Sequence, residues 1–463
     1  MRSMGLALIA VAVLGCAEEV AVIGTADCGT WGSSFAYGSW HEGASAVSTY
    51  ANGDIGFASS FSGELDLGGW TLRGEDGAFV TRLDACGHYQ WGAALGAPAT
   101  GGGSQPSRIF RSAIDAAGRT VAVGRFPAST HLGGEPLSED GQDFVALLQL
   151  DEGGTVRFGR RLGDVSEVVA RGVAVAPNGD IVVVGYFDGT VSLGGAEMTS
   201  TSFWDAFAVG YDPDGHHLWS ASFGTGDSSD DVSFDDVRIG EGGDILIVGD
   251  VSGGIVDFGG GPLSPVDGVD GPGIARVDMV VLALAGDGTH RWSRRFGGSA
   301  VVRAGTMALR RTGNLLIAGE LHSGSASFGG PEIATTIGSY LVELDAGGAH
   351  VASTVMTSVT INAIEPAASE EVVVAGHVNN SVDPPTIGDA AVLDEPFLAG
   401  IGPSFQLSWI IPLGPAVPLD VAVDEGGGLV VTGSVTSYDD VTVAGIPLTS
   451  NGHTVGFLLR LAP

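Results

Sequence analysis

Between Gly172 and Gly224 short apolar runs alternate with turn residues, reading GVAVAPNGDIVVVGYF, then VSLGG, then DAFAVGYDPDGHHLWSASFG. Three apolar runs and a fourth ending in Trp-x-x-x-Phe, separated by Asn-Gly and Asp-Gly pairs, predict four antiparallel strands joined by tight turns. The valine-rich run that ends in glycine recurs along the chain. It closes at Gly124, Gly185, Gly249, Gly319, Gly376 and Gly433, with Ser59 in that place in the first copy. The fourth run gives an independent count. Its last apolar residue falls at Phe35, Leu95, Leu162, Phe223, Phe296, Met356 and Leu413, at spacings of 60, 67, 61, 73, 60 and 57 residues.

After Leu413 only 50 residues remain, and they hold three strands of a last unit without its fourth. The missing strand stands at the front of the chain, as Thr30-Trp31-Gly32-Ser33-Ser34-Phe35. A row of four-stranded units buries its faces against neighbours but leaves two exposed ends unless the ring closes. The displaced strand therefore predicts an all-β fold: a seven-bladed β-propeller of four-stranded antiparallel blades, closed by the N-terminal strand completing the last blade. Trp31, Trp91, Trp219, Trp292 and Trp409 share one repeat column, with Phe158 and Ala352 in the other two copies, and are expected to pack between blades.

Composition agrees and adds exclusions. The 76 glycines suit frequent chain reversal, and 44% hydrophobic residues suffice for a core. Twenty basic residues, all arginine, face 54 acidic ones, for a net charge of −34. A nucleic-acid partner is excluded on that balance, and the lack of lysine removes any Schiff-base chemistry.

The N-terminus predicts an address. Arg2, the apolar run Gly5 to Leu14 and small residues around Cys16 read as a signal peptide over residues 1–15, too short for an ordinary membrane anchor. Val13-Leu14-Gly15-Cys16 resembles a bacterial lipobox, which implies lipid attachment at Cys16, a tether over residues 16–27 and a propeller over residues 28–463. Cleavage after Ala17 with ordinary secretion is the alternative. Ala17 after the modified cysteine implies an outer-membrane or cell-surface address, with the lipid as sole membrane contact. Cys28 and Cys86 either pair in this oxidising setting or stay apart as small core residues.

The repeat pattern AVxxxGxIxVxG, xxFGGxxL, DxFVAxLDxxGxxxW and SxxFG resembles bacterial seven-bladed β-propeller repeat proteins, many of them cell-surface lipoproteins. The likeness runs from Cys28 to Pro463 and is weakest in the sixth copy, at Glu365-Pro366 and Ile387-Gly388-Asp389. It implies an exported propeller and no particular chemistry.

Candidate sites follow from topology. The turns between strands one and two and between strands three and four are tight, as in PNGD and DPDG, and that face is expected to offer a ligand little. The longer connections share the opposite face, where binding residues would lie. Trp40, Trp70, Phe203 and Trp204 fall there and could stack on a sugar or anchor a protein, or simply cap their own loops. Asp227, Asp230, Asp231, Asp235 and Asp236 could hold calcium or form a solvated acidic face. His88, His216, His290 and His350 lie in different blades and are not expected to share a metal. Neither Gly-x-Ser-x-Gly nor His-Glu-x-x-His occurs.

The expectation is thus a monomeric, cofactor-free, non-catalytic binding or scaffolding module for a protein or glycan. The alternative is a hydrolase or an enzyme like the quinone-dependent dehydrogenases, which would need convergent polar side chains at the mouth of the central channel.

Overall fold

A computed structural model describes residues 30–36, 45–67, 69–96, 107–132, 135–138, 141–266, 277–367, 369–379, 383–392, 394–424, 426–436, 440–448 and 454–462. Cys16, Cys28 and Trp40 lie outside the described residues. Among the described residues the regular structure is all strand, and no helix is long and apolar enough to cross a membrane. The strands form seven four-stranded antiparallel blades, of which the fourth and fifth are joined at one edge by Gly297–Ser327 and Gly298–Ala326 pairing.

The innermost strands are Ser45–Thr49, Arg108–Ile114, Val168–Val175, Asp231–Ile239, Val301–Leu309, Val359–Pro366 and Ala416–Val423. Each lies against the next, and the last lies against the first, so the ring is complete. Trp31–Ala36 pairs antiparallel with Thr454–Leu461, from Trp31 opposite Arg460 to Ala36 opposite Val455. The front of the chain thus supplies the outer strand of the seventh blade, as the displaced strand predicts. Asp420 seals the same seam from the inside, its carboxylate accepting from the Val47 amide at 3.0 Å.

Two glycine columns have a common cause, the close approach of another group. In blades two to seven the inner strand carries a β-bulge directly beyond the residue opposite the second-strand glycine. The bulge presses a backbone carbonyl onto that glycine. A Cβ on Gly249 would lie 2.0 Å from the Ser233 carbonyl oxygen, and one on Gly319 2.0 Å from that of Arg303. Blade one runs in straight register from Ser45–Ser59 to Thr49–Ile55, which is why serine is tolerated there. The paired glycines that follow the second strand, Gly194-Gly195, Gly259-Gly260 and Gly329-Gly330, instead fold onto the first residue of the outer strand. Cβ atoms on Gly195, Gly260 and Gly330 would strike the rings of His217, His290 and His350.

The tryptophan column latches neighbouring blades. Trp31, Trp91, Trp219 and Trp292 lie against the turn glycines Gly87, Gly154, Gly288 and Gly348 of the following blade. The indoles of Trp31, Trp219 and Trp292 donate to the Ala85, Gly286 and Ala346 carbonyls of the same turns. Where the column falls to Ala352, the next turn carries Phe405 in place of glycine, at φ 59° and buried in the same cluster as Ala352. The aromatic ring has moved across the interface, from the outer strand of one blade to the turn of the next.

Candidate functional site at the central channel

Second strands are buried on both faces, with one repeated exception. The residue after the second-strand glycine, or after Ser59 in its place in blade one, is half-buried in every blade: Ser60, Arg125, Tyr186, Asp250, Glu320, His377 and Ser434. Its neighbours on either side are buried in all but blade six. This column varies in chemistry while its neighbours stay apolar. It sits beside the start of each inner strand, at the long-loop end of the channel. The bulged inner-strand residues Arg171, Asp235 and Asn362 join it.

These groups act on one another across blades. Arg171 of blade three lies 5.6 Å over the Tyr186 ring and is drawn by the charges of Asp235 and Asp250. Asp250 accepts from the Ala304 amide of blade five at 2.6 Å, with the Arg303 guanidinium 3.9 Å away. Glu320 pairs with His322 at 3.0 Å, and Asn362 contacts His377 at 3.3 Å. The mouth therefore carries charges of both signs: Arg125 and Arg171 on blades two and three, and Asp235, Asp250 and Glu320 with Arg303 on blades four and five. Burial raises two of these carboxyls: Asp235 is pushed up to about 6, against the pull of Arg171 and with Asp236 adding repulsion, and Asp250 is held well above the ordinary carboxylate range by burial and then by the charge of Asp235. Burial likewise lowers His377.

The aromatic candidates separate. Trp70 stacks on Tyr89 at 5.8 Å and covers Gly92, so it packs on its own blade. Trp204 meets Tyr186 edge-on at 5.0 Å, with Phe203 beside it at 5.6 Å and 55% exposed. Backbone bonds from Phe203 to Asp230 and from Val232 to Trp204 fix this pair beside the start of blade four's inner strand. Phe203 and Trp204 thus flank the mouth through Tyr186.

The five acids singled out as a calcium loop also divide. Asp227 caps its own turn through Ser229, and Asp230 accepts from the Gly254 amide at 2.7 Å. Asp231 is half-buried and Asp235 faces the channel. Asp236 is taken up by the Val237 and Met307 amides and Arg238. His88 and His216 bond Asp84 and Asp212 four residues earlier, while His290 and His350 bond Ser293 and Ser353. Cys86 is disulfide-bonded, its partner lying outside the described residues.

At the tight-turn end the channel widens into a chamber of about 370 Å³, lined by the later halves of the inner strands of all seven blades. Sequence reasoning expected little there because it weighed the turns. The walls are strand residues instead.

Fold and site together define a seven-bladed β-propeller with a charged central channel. No family model matches the chain, and no curated protein matches it. Among solved structures it is similar to the Dos1 propeller, at 9% identity over 92% of this chain and 94% of that one, TM-score 0.42. It is also similar to a Dyadobacter fermentans protein of unknown function, at 11% identity over 92% and 96%, TM-score 0.40. A third is a PL25 polysaccharide lyase, an ulvan lyase, at 12% identity over 88% of this chain and 91% of that one, TM-score 0.45. Likenesses at this level transfer no residue role to the present chain.

Proposed function

We propose that the protein is an exported, lipid-anchored propeller that binds a glycan at the long-loop mouth of its channel. The observation carrying this reading is the ring of half-buried polar residues, one per blade, that follows the second-strand glycine. Polar groups fixed on rigid strands pay little ordering entropy when they bind hydroxyls, and the Phe203–Trp204–Tyr186 cluster offers ring faces and edges beside them. Glycan-array binding of the purified chain tests it. Joint substitution of Phe203, Trp204 and Tyr186 by alanine should weaken the best binder about tenfold or more; unchanged binding would refute the site.

A second reading is favoured by one observation, the Asp235–Asp250 pair. A carboxyl pushed up to about 6 beside a second acid is suited to proton donation. If the channel is catalytic, bound polysaccharides should gain new chain ends on incubation, and Asp235→Asn should abolish that gain while leaving binding in place.

A further inference from the structure

The chamber at the tight-turn end holds five charged side chains: Arg111 of blade two, Asp236 and Arg238 of blade four, Glu365 of blade six and Asp420 of blade seven. Three are committed to the protein. Asp236 accepts from two backbone amides and from Arg238 at 2.6 Å. Asp420 accepts from the Val47 and Val421 amides, each at 3.0 Å. Arg238 divides its donors between Asp236 and the Val237 carbonyl.

Arg111 and Glu365 are left over. The Arg111 side chain is exposed to the chamber and donates only to the Phe110 carbonyl, at 3.1 Å. No ion pair within 4 Å is formed by it among the described residues, and the Glu365 carboxyl has no hydrogen-bond partner among them. Two opposite charges on nearly opposite blades therefore line one polar chamber, open at the tight-turn end, without touching each other. Arg111 keeps open donors that feel only the through-space charges of Asp420 and Asp235, and the Glu365 carboxyl is desolvated without a hydrogen bond, so each has room for a partner. One small molecule carrying both signs would satisfy both groups, and about 370 Å³ suits a compact ligand rather than a polymer.

We propose that the chamber is a binding site for a small zwitterion of the amino-acid or ω-amino-acid class, its carboxylate held by Arg111 and its ammonium by Glu365. The site is separate from the glycan mouth, and neither reading requires the other. Burial first, and then the charges of Asp420 and Asp236, push Glu365 up to about 7 against the pull of Arg238. Ammonium binding needs the ionised carboxyl, so affinity should rise from pH 6 to pH 8.

The test is calorimetric titration of the full chain at pH 7.5 with glycine, β-alanine and γ-aminobutyrate, and with acetate and methylammonium as single-charge controls. At least one zwitterion should bind with a Kd below about 1 mM and at least tenfold tighter than either control. Arg111→Gln and Glu365→Gln should each weaken it about tenfold or more. Absence of binding by all three zwitterions overturns the proposal. So does acetate binding as tightly as the zwitterions, which would mark a simple anion site, or zwitterion binding indifferent to both substitutions. The wild-type ligand panel and pH series decide the question even where a variant folds poorly.

Discussion

Gly249→Ala isolates the link between the inner-strand bulge and the glycine facing it. The added methyl would lie 2.0 Å from the Ser233 carbonyl oxygen and 2.9 Å from Phe234 Cα, so only backbone movement relieves it. Moving the inner strand by the ångström or more required loosens two or three ladder hydrogen bonds, at about 1 kcal/mol each. Residual overpacking adds about 1–3 kcal/mol, and the lower entropy of the unfolded alanine chain returns about 0.4–1 kcal/mol. A net loss of roughly 3 kcal/mol is expected. Ser59→Ala, at the same column of the bulge-free blade, should cost only about 1 kcal/mol for a buried hydroxyl. Guanidinium unfolding of both variants beside the wild type provides the comparison. Should Gly249→Ala cost no more than Ser59→Ala, the bulge is not what demands glycine.

Other perturbations test the seam, the channel and the anchor. Trp31 is 0% exposed between blades seven and one, so Trp31→Ala should cost about 3–5 kcal/mol, read as a lowered denaturant midpoint; a surface-like loss below 0.5 kcal/mol would contradict ring closure by this strand. Glu365, with its folded pKa raised to about 7, adds no penalty below about pH 4.5 and an increasing one as pH climbs through 7. Glu365→Gln should therefore stabilise the fold at pH 8 by roughly 1–3 kcal/mol more than at pH 4.5, and an equal effect at both pH values would refute the buried-carboxyl account. Metabolic labelling with a fatty acid should mark the wild type and not Cys16→Ser; label persisting in the variant would refute lipidation at that cysteine.

The architecture was legible because it is written in columns. The valine-rich runs and the Trp31 column each count to seven, and the strand that ends at Phe35 supplies the outer strand missing from the last unit. The Trp204 side of the mouth was also within reach, since it lies in a long connection. The polar ring was not found, although its signal is plain once aligned: Arg125, Tyr186, Asp250, Glu320, His377 and Ser434 all follow the repeat glycine, and Ser60 follows Ser59 in its place. Strands packed on both faces are apolar throughout and lose the alternation that shows which way a side chain points. A lone polar residue beside glycine then reads as the end of a strand. The bulges that aim Arg171, Asp235 and Asn362 depend on a pairing partner and leave no local mark. Phe405 in place of the turn glycine makes sense only beside Ala352 of the preceding blade.

The partnership of Trp31 with Arg460 has a cost in time. The first strand of the ring to leave the ribosome has its partner more than 400 residues downstream, and at about 5–20 residues per second that means roughly 20–80 seconds of synthesis. Until then Trp31–Ala36 has no strand to pair with, so the ring closes only once Thr454–Leu461 has been made. The last stitch of this circle cannot be sewn before nearly all of its other strands are available to fold.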